Sequence, residues 1–145
     1  MKVKMYLIGL LLAFATTAYA QQAVNSANWE ILNSFSLKLQ NNKYVIFYPP
    51  QLKALDNKVI ELSGYMIPIK VGKNHKEFLL SVLPVEQCAF CGSGQYAPMV
   101  IIKAAKPVSY TDQVICMKGT FMLNDLGNTQ HEYAMINAVI TPLKK

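Results

Sequence analysis

The chain has 145 residues, 52% of them hydrophobic, and a formal net charge of +6. All 14 basic residues are lysines, so no guanidinium is available for the two-pronged grip on phosphate or carboxylate. Apart from the Lys144-Lys145 tail the lysines are scattered, which describes a solvated surface and argues against nucleic acid or another polyanion as partner.

Residues 1–20 have the three parts of a signal peptide. Lys2 and Lys4 give a positive start, Leu7 to Ala15 an apolar run, and Ala18-Tyr19-Ala20 a small-x-small cleavage site before Gln21. The run is about half of the roughly 20 residues that span a bilayer. No cysteine follows the cleavage site to carry a lipid, and no later stretch is long and apolar enough to cross a membrane. The expectation is a secreted product, residues 21–145, periplasmic or else extracellular, with no membrane insertion once the leader is removed. That length suits one domain, burying about two thirds of its unfolded surface and needing no staple to hold a core.

Residues 25–33 predict a short helix with Ser26 as N-cap and Trp29 and Leu32 on one face. From Phe35 the period becomes two, with Phe35, Leu37 and Leu39 alternating with polar residues. Asn41-Asn42 accepts the positive φ of a tight turn, and Lys43 to Tyr48 is the return strand. Pro49-Pro50 ends this β-hairpin, because proline has no N–H for a ladder. A short helical or irregular piece follows at Leu52 to Leu55.

Five strands are then predicted, at residues 58–70, 76–83, 99–104, 113–123 and 131–141. Turn-like separators lie at 71–74, at the 85–98 loop, at Lys106-Pro107 and at 124–128. Gly64 and Gly119 fall inside the first and fourth strands, where glycine marks a bulge or sharp bend. Long strands with interior bends are what closing a small barrel requires. The pattern predicts a mainly β fold, an OB-fold-like five-stranded Greek-key barrel, with a small β-sandwich as the alternative.

The one chemically unusual segment is Cys88-Ala89-Phe90-Cys91-Gly92, a Cys-x-x-Cys pair with Gly92 and Gly94 beside it. These glycines let backbone amides approach the sulfurs. Three readings stay open. The pair can close a short disulfide or pack together to fix the loop, which export permits. It can supply half of a zinc or copper site, for which Cys116 and His131 are the remaining candidate ligands. It can also shuttle electrons, although the dipole that activates a thioredoxin-type thiol is missing, because glycines, Pro98 and a strand follow the pair. Cys116 itself, between Ile115 and Met117, reads first as a small buried residue. His75, in Asn74-His75-Lys76, reads as a solvated turn histidine. Tyr65, Phe78, Tyr96 and Tyr133 read as core before they read as a ligand-binding aromatic face. No phosphate cradle, nucleophile elbow or His-Glu-x-x-His motif is present.

Several motifs together resemble a family of small exported bacterial proteins described only as a domain of unknown function. They are Trp29-Glu30-x-Leu32, Pro50-x-Leu52-x-x-Leu55-x-x-Lys58-Val59, Gly64-Tyr65-Met66-Ile67-Pro68, Phe78-Leu79-Leu80-Ser81, Cys88-x-Phe90-Cys91-Gly92, Gly119-x-Phe121-x-Leu123-Asn124 and Tyr133-x-Met135-x-Asn137-Ala138. The resemblance implies an exported OB-like β domain and supplies no activity. The family is similar in carrying Gly-Pro-Glu shortly after the cysteine pair, where this chain has Gln95-Tyr96-Ala97 without a carboxylate. The functional expectation is a non-catalytic binding or adaptor module that meets an envelope protein or small ligand through its cysteine loop. The alternatives are a metal-binding accessory protein and a periplasmic thiol oxidoreductase.

Overall fold

The structure, a computed structural model, describes residues 27–84, 98–123 and 133–143. Its elements are α1 (Ala27–Leu32), β1 (Ser36–Gln40), β2 (Lys43–Phe47), α2 (Pro50–Lys53), β3 (Val59–Pro68), β4 (Asn74–Ser81), β5 (Met99–Ser109), β6 (Ile115–Leu123) and β7 (Tyr133–Thr141). Strands β1 and β2 pair only with each other, whereas the remaining five close into a barrel in the order β3-β4-β5-β7-β6. All barrel neighbours are antiparallel except β5 and β7, which run parallel. This is the five-stranded Greek-key barrel of the OB type expected from strand count and bends, and the sandwich alternative falls away. The expected leader, residues 1–20, and the expected N-cap Ser26 lie outside the described residues. No described helix is long and apolar enough to cross a membrane.

Closure depends on β3 serving two neighbours in succession. Residues Val59 to Gly64 pair with β6, and Tyr65 to Pro68 pair with β4. Gly64 sits at the handover. A Cβ built there would lie 2.7 Å from the Ser81 carbonyl oxygen and 2.9 Å from Leu80 Cγ. Gly119 plays the same part where β6 meets β7, since its Cβ would lie 2.8 Å from the Ile136 carbonyl oxygen and 2.9 Å from Ala138 Cα. The β6–β7 register shifts between Lys118 and Thr120, opposite Asn137, whose φ is 51°. Both glycines thus mark close backbone approach at a bend, as the sequence predicted.

The handover leaves the edge of β3 before Tyr65 without a β4 partner. Helix α1 covers it with side chains. Trp29 Nε1 donates to the Ser63 carbonyl at 2.8 Å and Asn28 Nδ2 to the Glu61 carbonyl at 3.0 Å. Trp29 and Leu32 are buried on the predicted shared face. At the other end of the helix the Tyr133 hydroxyl donates to the Leu32 carbonyl at 3.3 Å. Phe35 then meets the Tyr133 ring edge-on, with centroids 6.0 Å apart. Pro50 opens α2, where a missing N–H costs nothing, and carries Leu52 into the core. Phe78 and Tyr133, read from sequence as core, are buried.

Two expectations are corrected. Lys106-Pro107 does not separate strands but lies inside β5, which runs on to Ser109. The ladder explains this, because pairing jumps from Glu77↔Lys103 to His75↔Val108, so Pro107 sits in an irregular stretch where no ladder N–H is demanded of it. His75 is not a solvated turn residue. It belongs to β4, is 4% exposed, donates from Nε2 to the Gly72 carbonyl at 3.0 Å and meets the Tyr110 ring edge-on. The short β3–β4 connection folds back onto the imidazole.

Replacing Gly64 or Gly119 by alanine is expected to destabilise the fold by about 1–3 kcal/mol each, because backbone oxygens cannot yield as a side chain can. Urea unfolding checks this. Trp29→Phe keeps an aromatic side chain but removes the pyrrole ring and the N–H that meets the Ser63 carbonyl, and is expected to cost a separate amount of about 1–3 kcal/mol in the same assay.

Candidate functional site

In a barrel each strand alternates between core and outer face, so register across the strands defines rows on the outside. One such row is apolar through all five strands. Ile67 of β3 pairs with Leu79 of β4, Leu79 with Ile101 of β5, Ile101 with Ala134 of β7, and Ala134 with Met122 of β6. Each residue is half-buried, while its chain neighbours Met66, Phe78, Leu80, Val100, Ile102, Met135 and Phe121 fill the core. The adjacent row on β3, β4 and β5 is Tyr65, Ser81 and Met99. On the other side the row passes to Glu77 paired with Lys103, and Lys103 with Ile136. Tyr65 is therefore the one member of the sequence-derived aromatic set that faces outward among the described residues.

This face belongs mainly to β4 and β5, the second and third strands of the barrel. In OB-type barrels that face is where ligands bind. Its last pair is Ser81↔Met99, and the chain between them holds the Cys-x-x-Cys segment. Ser81 is fully buried, and its hydroxyl accepts the Leu83 N–H at 3.1 Å. Val82 donates its N–H to the Pro98 carbonyl at 3.4 Å. These contacts hold the two ends of the cysteine-bearing segment side by side at the border of the apolar face. Strand β7 begins beside β5 at the same end of the barrel, since Ile101 pairs with Ala134. Cys88, Cys91, Gly92, Gly94 and His131 themselves lie outside the described residues, as do Tyr96, Glu86 and Glu132.

Cys116 is the candidate ligand that is described. It is a free thiol, 2% exposed, so the reading as a small buried residue holds. Its neighbours Ile115 and Met117 point into the core, so the Cys116 side chain points to the outer face of β6. There it stands between Ser63 of β3 and Thr141 of β7 in register. Thr141 Oγ1 is buried with no hydrogen-bond partner among the described residues. No group of three or more His, Cys, Asp or Glu among the described residues is arranged to hold a metal ion. The row of Ile67, Leu79, Ile101, Ala134 and Met122 was not read from sequence. Each residue alone looks like an ordinary strand residue, and only the register joins them.

With Cys88 and Cys91 changed to serine, Cys116 becomes the single thiol. Its burial predicts slow reaction with a disulfide reagent in the native protein and fast reaction after unfolding in guanidinium. Equal rates in the two conditions would contradict the packing described above.

Comparison with family models, with curated proteins and with solved structures gives no match for this chain, so its function is argued from this outer face and from the sequence beside it.

Proposed function

We propose that the chain is a non-catalytic binding or adaptor module of the cell envelope. In this reading the outer face of β4 and β5 receives an apolar surface of an envelope protein, and the Cys88/Cys91 segment borders the contact. The observation that carries it is the apolar row from Ile67 through Leu79 and Ile101 to Ala134 and Met122. Isolated outward apolar residues are ordinary, whereas a contiguous row marks an interaction surface. The chemistry of the face supports a protein or small apolar ligand over nucleic acid, since Lys103 is paired in register with Glu77 and the chain has no arginine. The leader-like pattern of residues 1–20 supports a location outside the cytoplasm, and the glycine-flanked thiols would give the contact face a distinctive border. The resemblance to exported domains of unknown function agrees with this reading.

The test uses a photo-reactive amino acid at position 101 in the native host, followed by recovery of the cross-linked partner and by titration of the purified pair. Leu79→Asp is expected to weaken binding at least about tenfold, since burying one leucine contributes up to roughly 1.5–3 kcal/mol, and a melting curve of the variant measures separately what the half-buried side chain gives the fold. Cys88→Ser with Cys91→Ser is expected to keep the fold and impair the same contact. Undiminished affinity in Leu79→Asp would remove the face from the proposal, and undiminished affinity in the serine variant would remove the loop.

A further inference from the structure

The β1–β2 hairpin is built unlike the rest of the chain. Its two strands pair with no barrel strand, and it is tied to the domain at its base through Phe35, Ile46 and Tyr48, which pack into or against the core. The register puts Leu37, Leu39, Tyr44 and Ile46 on one face. Exposure on β2 rises away from the base, from half-buried Ile46 to Tyr44 at 74%, and Leu39 opposite Tyr44 is 62% exposed. The tip beyond them is the polar turn Asn41-Asn42, with φ of 50° and 61°. The opposite face is mixed, with Ser36, Lys38 and Gln40 in register beside Val45 and Phe47. Val45 and Phe47 are exposed there, and Lys38 Nζ lies 3.7 Å from the centre of the Phe47 ring.

An exposed ribbon with one apolar face and a lysine-bearing opposite face has the amphipathic pattern of an element that lies in the interfacial layer of a bilayer. The lysines are scattered over the chain as a whole, but in this segment the charge is of one sign and complementary to such a layer when it is anionic. From Ile31 through Leu55 the sequence contains Lys38, Lys43 and Lys53 and no aspartate or glutamate. Lysines flanking apolar and aromatic side chains bury their stems and hold their ammonium groups at headgroup level.

We propose that the β1–β2 hairpin docks the protein on an anionic lipid surface, with Leu37, Leu39 and Tyr44 entering the interfacial layer and Lys38 on the opposite face meeting the headgroups. The outer edges of β1 and β2 carry backbone groups unpaired within the sheet, so the hairpin stops in the hydrated interface and does not enter the hydrocarbon. The docking is peripheral and reversible, and it does not depend on the reading of the β4–β5 face.

The experiment is co-sedimentation of the chain from Gln21, which holds every described element, with vesicles of phosphatidylcholine alone or with added phosphatidylglycerol. Binding is expected to require phosphatidylglycerol and to fade as salt is raised. Leu37→Gln with Leu39→Gln and Tyr44→Ser is expected to lower the partition coefficient at least roughly tenfold while the melting curve stays put. Lys38→Gln with Lys43→Gln is expected to remove the preference for the anionic lipid. In Tyr44→Trp, emission is expected to shift to the blue on adding anionic vesicles, above the constant contribution of buried Trp29. Native protein left in the supernatant with phosphatidylglycerol vesicles would overturn the proposal, as would unchanged binding by the triple variant. Sedimentation equilibrium showing a dimer that the triple variant dissociates, with no vesicle binding, would assign the hairpin to a second copy of the chain instead.

Discussion

Closure of the barrel rests on one strand being shared in time and space by two others. Strand β3 gives its first half to β6 and its second half to β4. The strand must bend between them, and the bend brings its backbone to within side-chain distance of Ser81. Only a residue without a Cβ fits there, which explains Gly64. The same sharing leaves a stretch of β3 whose outward carbonyls lie beyond the β4 ladder, and a buried carbonyl needs a donor. Helix α1 solves that with the amide of Asn28 and the indole of Trp29. The N-terminal segment is therefore part of the barrel's hydrogen bonding and not an appendage.

The same segment orders the end of the barrel from which β7 starts. Asp56 Oδ1 accepts the Leu123 N–H, while Asn57 donates its N–H to the Phe121 carbonyl and Phe121 donates back to the Lys58 carbonyl. Leu32 and Phe35 meet Tyr133 from the other side. The β6 and β7 termini are thus fixed by residues that lie far away in sequence. The ends of the cysteine-bearing segment are fixed at the same end of the barrel by Ser81, Val82 and Pro98. A rigid frame around a chemically distinctive segment is the arrangement that binding sites favour.

Much of this frame was legible in the residues. Gly64 and Gly119 announced the bends, Asn41-Asn42 the hairpin turn, and the period-two runs the five barrel strands. What escaped the sequence depends on partners. Alternation in Phe35 to Leu39 predicts a strand but does not say whether its apolar face finds a core, and for Leu37 and Leu39 it does not. Pro107 reads as a stop until the slipped register with β4 gives it a place without a ladder bond. His75 looks solvated among Asn74 and Lys76 until the turn folds over it. The apolar row on the outer face requires five registers, one of them parallel, and no local pattern encodes these. Of the candidate site, the sequence singles out the thiols, and the described structure supplies the apolar face and the two ends of the segment that carries them.

The parallel pairing of β5 with β7 and the pairing of the first half of β3 with β6 also bear on how the chain reaches this state. Val59 must find Thr120, and Ile101 must find Ala134, across long intervening stretches. Contacts so distant along the chain carry a large loop-closure cost before they contribute anything, which places such topologies among domains that fold on the order of milliseconds to seconds. The β3–β4–β5 meander needs only neighbouring segments, whereas the Val59–Gly64 ribbon lacks its ladder until β6 pairs with it and is able to pair with a stranger. A newly made copy therefore passes through an interval in which self-association competes with completion, and crowding of unfinished chains is what it tolerates least.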